Sequence, residues 1–341
     1  MAEWWSVDLL DANDYSKGKL GTVRSGSLEW STFRSVQGSG SLELAESPEL
    51  TPNWLADRVR IWHHDGDTAT SYGVYLATRP GREVDGPVTR YTLSLSDKTQ
   101  LLNQPIGRWV TYAAGTVVSS TVVGIILAAG EDRAAVEESA ATLATAQSFE
   151  PSDTWLHVAN ELLSAIGYGS LWADRDGVLS AGPYVAPEAR PVVKTYGAGE
   201  AKMLPRWSDE MDLSEIPNVV YVSAPGDETT PALIGRASND NPADPLSTAT
   251  RPEVVHSEQV EAADQAAADA IAVRRLGEKQ QRTRRVTLTH PLDGSWLNDV
   301  VSHPAGLTGP IVQRTIRLGL GAVVEDTVRR IYTAGEGLPW T

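Results

Sequence analysis

The sequence predicts a mainly β protein, with two β-barrel-like modules flanking an α+β middle region. Three observations carry that expectation. Short runs with partial period-2 alternation recur at regular spacing between turn signals, which indicates a barrel or sandwich rather than βαβ units. Glycine (29) and proline (20) are generous, as many short strands and turns require. One strong helical pattern stands in each of the middle and last regions. The expected domains are a first barrel-like module at 1–105, an α+β domain at 106–199, and a second barrel-like module with a flanking helix at 200–341.

In the first module the expected strands are Val7–Leu10, Gly26–Ser31, Ser41–Ala45, Val59–His63, Gly73–Thr78 and Thr89–Ser96. Apolar and hydroxyl residues alternate strictly through Tyr91-Thr92-Leu93-Ser94-Leu95-Ser96, as in a strand with one wet face. Turns are expected at Gly38-Ser39-Gly40, Asp65-Gly66-Asp67, Arg79-Pro80-Gly81 and Asp85-Gly86-Pro87, with Asp65-Gly66 a good hairpin site.

The middle region changes character. Thr116–Ala129 places Val118, Val122, Ile125, Ile126 and Ala129 at helical spacing before Gly130, although its β-branched content keeps a strand reading open. A second helix follows Pro151, capped by Ser152 or Asp153. It lines Trp155, Val158, Ala159, Leu162, Leu163 and Ile166 on one face and ends at Gly167. Arg175-Asp176-Gly177 then joins Leu171–Asp174 to Val178–Ser180 in a tight hairpin.

A connector from Pro183 to Pro191 leads into the last region. Ile216–Ser223 is an expected strand, Ala224–Asp227 a turn and Asn239–Pro252 an extended loop. The helix from Glu258 to about Gln281 has a weak apolar face, Ala263, Ala267, Ala270 and Ile271, and should lie on the outside of a sheet. Arg285–Thr289, Asp299–Ser302, Ile311–Leu318 and Val323–Tyr332 complete the second β unit.

Composition narrows the function. The 44 acidic and 29 basic residues give a net charge of -15, the wrong sign for a protein that must neutralise phosphates. Absence of cysteine excludes disulfides, thiolate metal sites and a cysteine nucleophile. Met1-Ala2-Glu3-Trp4-Trp5 lacks a signal peptide's basic and apolar regions. The longest apolar run, Val122–Ala129, falls far short of the roughly 20 residues of a spanning helix. A protein made in a cytoplasm, without stable membrane insertion, is expected.

Catalytic signals are weak, and the expectation is a non-enzyme without cofactor or metal. His63-His64-Asp65-Gly66-Asp67 is the best metal-like cluster, but adjacent histidines on a strand point to opposite faces. His157 lies off its helix's apolar stripe, and His290 and His303 each precede a proline at a strand end, a loop context without a partner. Glu137-Glu138 and Asp209-Glu210 are sequence neighbours, which seldom converge as acid and base. No G-x-S-x-G, H-E-x-x-H or P-loop motif occurs.

Interface signals are stronger. Of eleven tryptophans, Trp30, Trp62, Trp155 and Trp172 are expected in the core. Trp4, Trp5, Trp54 and Trp340 lie near termini or in loops and are candidate subunit contacts. Arg274, Arg275, Lys279, Arg282, Arg284 and Arg285 form the one basic cluster. It suits a helix C-terminus or a contact with an acidic neighbouring subunit.

Several segments share an order with one family: Ser27–Trp30; Arg58-Val59-Arg60-Ile61-Trp62 with its His-Asp-Gly hairpin; Tyr72–Leu76; Leu93–Lys98; Phe149-Glu150-Pro151; Asn160–Leu163; Ser170–Gly177; and Pro217-Asn218-Val219-Val220. In this order the chain resembles the minor tail proteins that form the tail-tip or baseplate hub of tailed phages, especially long-tailed phages of actinobacteria. The resemblance implies two modules related to the tail-tube subunit. It also implies a homotrimer that makes a pseudo-sixfold ring between a hexameric tube and a threefold tip.

The implied partners are distal tail or tail-tube proteins, a tape measure protein and other tip or fibre proteins. DNA would pass without specific binding, and the place of action would be the virion's tail tip. Two rival readings stay open: a carbohydrate-binding or adhesin module, from the loop tryptophans, and a tail-associated hydrolase, from His63–Asp67.

Overall fold

The computed structural model describes residues 3–45, 50–85, 88–197, 207–211, 216–224, 232–260, 265–280, 282–303, 307–319 and 321–332. The chain is mainly β, with three α-helices among the described residues. It divides into two compact units, residues 1–206 with 288–327 and residues 207–287 with 328–341. The segment 200–341 is thus shared between them.

The first six strands are β1 (Glu3–Leu10), β2 (Ser16–Ser31), β3 (Gly38–Ala45), β4 (Arg58–Asp65), β5 (Thr68–Asp85) and β6 (Val88–Asp97). They pair in the order β1-β4-β5-β6-β3-β2, and an added β1–β2 pairing closes the order on itself. All six pairings are antiparallel. The closed ring has no free edge inside it. Its inward positions follow the period of two: Val7, Leu9, Leu28, Leu42, Leu44, Val59, Ile61, Val74, Leu93 and Leu95 are all buried. Every strand expected here is present, and each is longer than its apolar pattern.

Two turn expectations fail. Gly38-Ser39-Gly40 opens β3, where the glycines serve close approach: a Cβ on Gly40 would lie 2.7 Å from the Ser27 carbonyl oxygen. Arg79-Pro80-Gly81 lies inside β5, beside a register shift between Ala77 and Arg79. The Asp65-Gly66 hairpin forms, with Asp65 opposite Thr68 and Gly66 at φ 59. Gly86-Pro87 lies outside the described residues.

The middle region has β7 (Val110–Tyr112), α1 (Val118–Ala128), β8 (Ala134–Val136), β9 (Gln147–Phe149), α2 (Trp155–Ala165), β10 (Trp172–Ala173) and β11 (Leu179–Ala181). α1 buries Val118, Val122, Ile125 and Ile126, so the helical spacing wins over β-branched propensity. The cap of α2 is Thr154, whose hydroxyl accepts the His157 N–H, rather than Ser152 or Asp153. Trp172, expected in the core, is 37% exposed. The Arg175-Asp176-Gly177 hairpin forms with Gly177 at φ 76.

Unit one is completed by β12 (Val192–Thr195), which runs parallel to a later strand. Unit two contains β13 (Trp207–Met211), β14 (Val219–Ala224), β15 (Leu233–Ser238), β16 (Val255–Gln259) and α3 (Gln265–Lys279). The last strands are β17 (Arg282–Pro291), β18 (Val300–His303), β19 (Leu307–Leu318) and β20 (Val323–Tyr332). β19 extends the first sheet by pairing with β2, and β18 bridges β19 to β12.

The last helix starts later than its composition suggests. Glu258 lies in β16, which runs parallel to β14. Ala268, Ala272 and Leu276 form the buried stripe of α3, with Ile271 half-buried. Ala270 is exposed; Ala263 and the Ala267 side chain lie outside the described residues. The stripe meets Val220, Val222 and Ala237 on the β14–β15 sheet. That contact needs Gly235, where a Cβ would come within 2.3 Å of the Ala268 carbonyl oxygen.

Gly235→Ala should therefore destabilise unit two by about 1–3 kcal/mol, the usual cost of overpacking a well-filled contact. Urea denaturation checks this, and an unchanged midpoint would contradict the close approach.

Candidate functional site

The expected interface residues differ in how far they are available to a partner. Trp5 is 2% exposed and packs in the ring against His63 and Tyr72, so it is unavailable for a partner. Trp4 is half-buried, stacked on His64 at 3.7 Å with the Lys19 ammonium 4.3 Å from its ring centre. Its ring is thus engaged by the chain's own side chains. Trp54 meets Tyr91 edge-on at 5.4 Å, on a turn whose neighbour Leu55 is fully exposed. Trp340 lies outside the described residues.

The basic cluster also divides. Arg275 pairs with Glu258 at 2.6 Å and Glu278 at 2.7 Å. Arg274 approaches Glu278 at 3.9 Å and, with Lys279, is exposed. Arg284 is buried, whereas Arg285 is exposed. The Arg282 side chain lies outside the described residues. Much of the positive charge near the end of α3 is therefore matched within unit two.

The His63–Asp67 segment behaves as strand geometry requires. His63 Nε2 meets Glu3 Oε1 at 2.8 Å on one face. His64 Nε2 meets the Ser6 hydroxyl at 2.9 Å on the other. No group of three or more His, Asp or Glu side chains suited to a metal ion occurs among the described residues.

Two buried polar networks have no counterpart in the sequence reading. In the first, Asp14 lies in the turn between β1 and β2 at φ 64. It accepts from Lys98 at 2.7 Å, Arg58 at 2.9 Å and Arg133 at 2.8 Å. Glu131, just after α1, takes Lys98 at 2.5 Å and Arg58 at 2.8 Å. Burial pushes Asp14 upward, but hydrogen bonds and charge from Lys98, Arg58 and Arg133 outweigh it, leaving its pKa below the usual carboxylate value.

The second network centres on His290, which was expected in a loop without a partner. It is 2% exposed in β17. Its Nδ1 faces the Pro291 carbonyl at 2.7 Å and its Nε2 faces Asp326 at 3.0 Å. Both neighbours are acceptors. Arg314 binds Asp326 through two nitrogens, each at 2.8 Å. Tyr196 donates to Asp293 at 2.8 Å. Burial raises Asp293, while Ser295, His290 and Tyr196 together bring it below its ordinary value. The signal that could have found this site is alternation, since Arg314 and Asp326 stand at inward positions of β19 and β20.

Neither network is built as a nucleophile beside a base; each carboxylate is saturated by cations or hydroxyls. They cement strands. No family model matches the sequence, and no curated protein matches it. Solved structures share the fold across nearly the whole chain. A tail protein from Neisseria meningitidis is 14% identical with a TM-score of 0.66, covering 96% of this chain and 97% of its own. The prophage MuSo2 43 kDa tail protein from Shewanella oneidensis is 12% identical with a TM-score of 0.63, covering 95% and 98%. An E. coli type VI secretion component, described as similar to the T4 tail proteins gp27 and gp5, is 11% identical with a TM-score of 0.50, covering 97% and 75%.

Removing one partner of a buried pair strands the other charge, so Asp326→Ala should cost about 3–5 kcal/mol through Arg314 and His290. Chemical denaturation measures it, and a loss under 1 kcal/mol on the scale of an exposed pair would contradict the geometry. Acid should act in the same direction. Asp14 and Asp293 have depressed folded-state values, so their stabilisation is present above the ordinary carboxylate value of 3.8 and is lost as pH falls through the lower folded values. Asp97 runs opposite: burial raises it, and its protonation on acidification offsets part of the loss. A stability curve flat below pH 4 would contradict the balance.

Proposed function

We propose that this chain is a structural, non-catalytic component of a phage-type tail tip, where three copies form the hub ring of the baseplate. The observation that carries the reading is end-to-end: the chain and the Neisseria tail protein match over 96% and 97% of their lengths. A match confined to one barrel would support only a shared module. The closed ring of β1–β6 and the strands around β19 suit tube-related modules. On this reading the segments 1–105, 106–199 and 200–341 act as first module, middle domain and second module.

The hub joins the hexameric tail tube or distal tail ring to threefold tip components. It contacts a tape measure protein and tip or fibre proteins, and lines the DNA path. The host lineage fits long-tailed actinobacterial phages, and the protein is made in the host cytoplasm before it joins the virion. The excess of 15 negative charges supports a lumen that DNA crosses without sticking, because repelled phosphates release no counterions there.

Of the basic cluster, Arg274 and Lys279 are exposed on α3, whereas Arg284 is buried and its reversal would damage the fold. Arg274→Glu with Lys279→Glu should leave thermal stability of the isolated chain unchanged and reduce ring or particle assembly severalfold. Mass photometry and particle symmetry read the outcome. A strictly monomeric chain within the particle overturns the hub reading. Normal assembly with both reversals overturns this contact alone.

A further inference from the structure

Residues 102–183 carry an apolar core of their own. Every buried member of that cluster lies between Leu102 and Ala181, and from beyond this segment only Val36 and Leu101 pack against it among the described residues. The ring has its separate interior around Leu28, Leu42 and Leu93. The seam between the two is rich in polar contacts. Asp14, Arg58 and Lys98 on the ring side face Glu131 and Arg133 on the other. Ser71 Oγ donates to the Arg175 carbonyl at 2.6 Å, and Arg60 on the ring reaches the Asp176 carbonyl at 3.5 Å.

Such a seam differs physically from an apolar one. Charges leaving it regain their hydration, which returns much of the desolvation penalty that closure imposed. Apolar surface leaving a seam regains nothing of the kind. When the halves part, Asp14 stays with Arg58 and Lys98, and Glu131 keeps the Arg133 backbone N–H.

We propose that residues 102–183 open from the ring as one cooperative unit, with Glu131 as the latch. Glu131 is the one carboxylate that the segment contributes to the described ion pairs of this seam, and its side chain is fully buried against Lys98 and Arg58. The ring strands, closed on themselves, keep their pairing while the segment swings. The inference rests on the seam and is independent of the tail reading.

Native-state hydrogen exchange of the full chain, wild type against Glu131→Gln at pH 7, tests it. The variant should speed exchange in residues 118–128 and 155–181 by about tenfold or more, with strands 26–31, 42–45 and 91–96 unchanged. Arg133→Gln, which removes the half-exposed cation, should give a smaller rise in the same peptides. A rise shared equally by ring strands, or no rise, overturns the proposal. Should Glu131→Gln fail to fold, wild type in sub-denaturing urea serves instead. Exchange of 102–183 should then show a weaker urea dependence than the ring strands, and one common dependence overturns the latch.

Discussion

Unit one depends on the buried charges around Asp14. This side chain, on a turn residue held at positive φ, gathers Lys98, Arg58 and Arg133 from the end of β6, the start of β4 and the segment after α1. Lys98 is fully buried and Arg58 nearly so. Such cations persist inside a protein only beside carboxylates, so the positions of four chain segments are fixed by charge pairing. The cations outnumber the carboxylates by three to two, and the third, Arg133, keeps part of its surface in water. Coulomb attraction sets the geometry here, and apolar burial supplies most of the stability around it.

The His290 network meets the same problem around Arg314. Arg314 and His290 face Asp326 and Asp293. Hydroxyls of Tyr196 and Ser295 fill the remaining acceptor sites. Arg175 joins from the β10–β11 hairpin, donating to the Gly294 carbonyl at 2.6 Å and lying 4.5 Å from the Trp296 ring centre. The loop from Asp293 to Asp299 thus takes its shape from arginines on distant elements. Trp296 and Leu297 add apolar anchors, Trp296 packing against Trp30 and Tyr72.

These networks bear on function by what they leave for the surface. Their acids and bases are spent on holding strands together, which suits a part whose work is mechanical. Closed strand pairing and saturated internal charges stiffen such a part. Exposed large side chains remain among the described residues, such as Leu55, Tyr15 and Trp109.

The strands were legible in the sequence because a half-buried strand must alternate, and Tyr91–Ser96 or Val323–Tyr332 alternate whatever their partners. The helices were legible for the same reason at a different period. Closure of the ring was not, since it depends on β1 pairing with β4 and β3 with β6 across long separations. Glycine misled at Gly38 and Gly40, where close approach of neighbouring strands, invisible along the chain, requires it. The α3 stripe shifted by one residue because only the position of Gly235 decides which alanines can touch the sheet. Alternation marked Arg314 and Asp326 as inward, but not as partners of each other and of His290: a lone charge in a strand shows its partner only when another strand carries that partner to it. By itself the sequence determined the periods, the turns that need positive φ and the acidic balance; the tertiary structure alone decided which charges meet, because pairing is a property of distance in space.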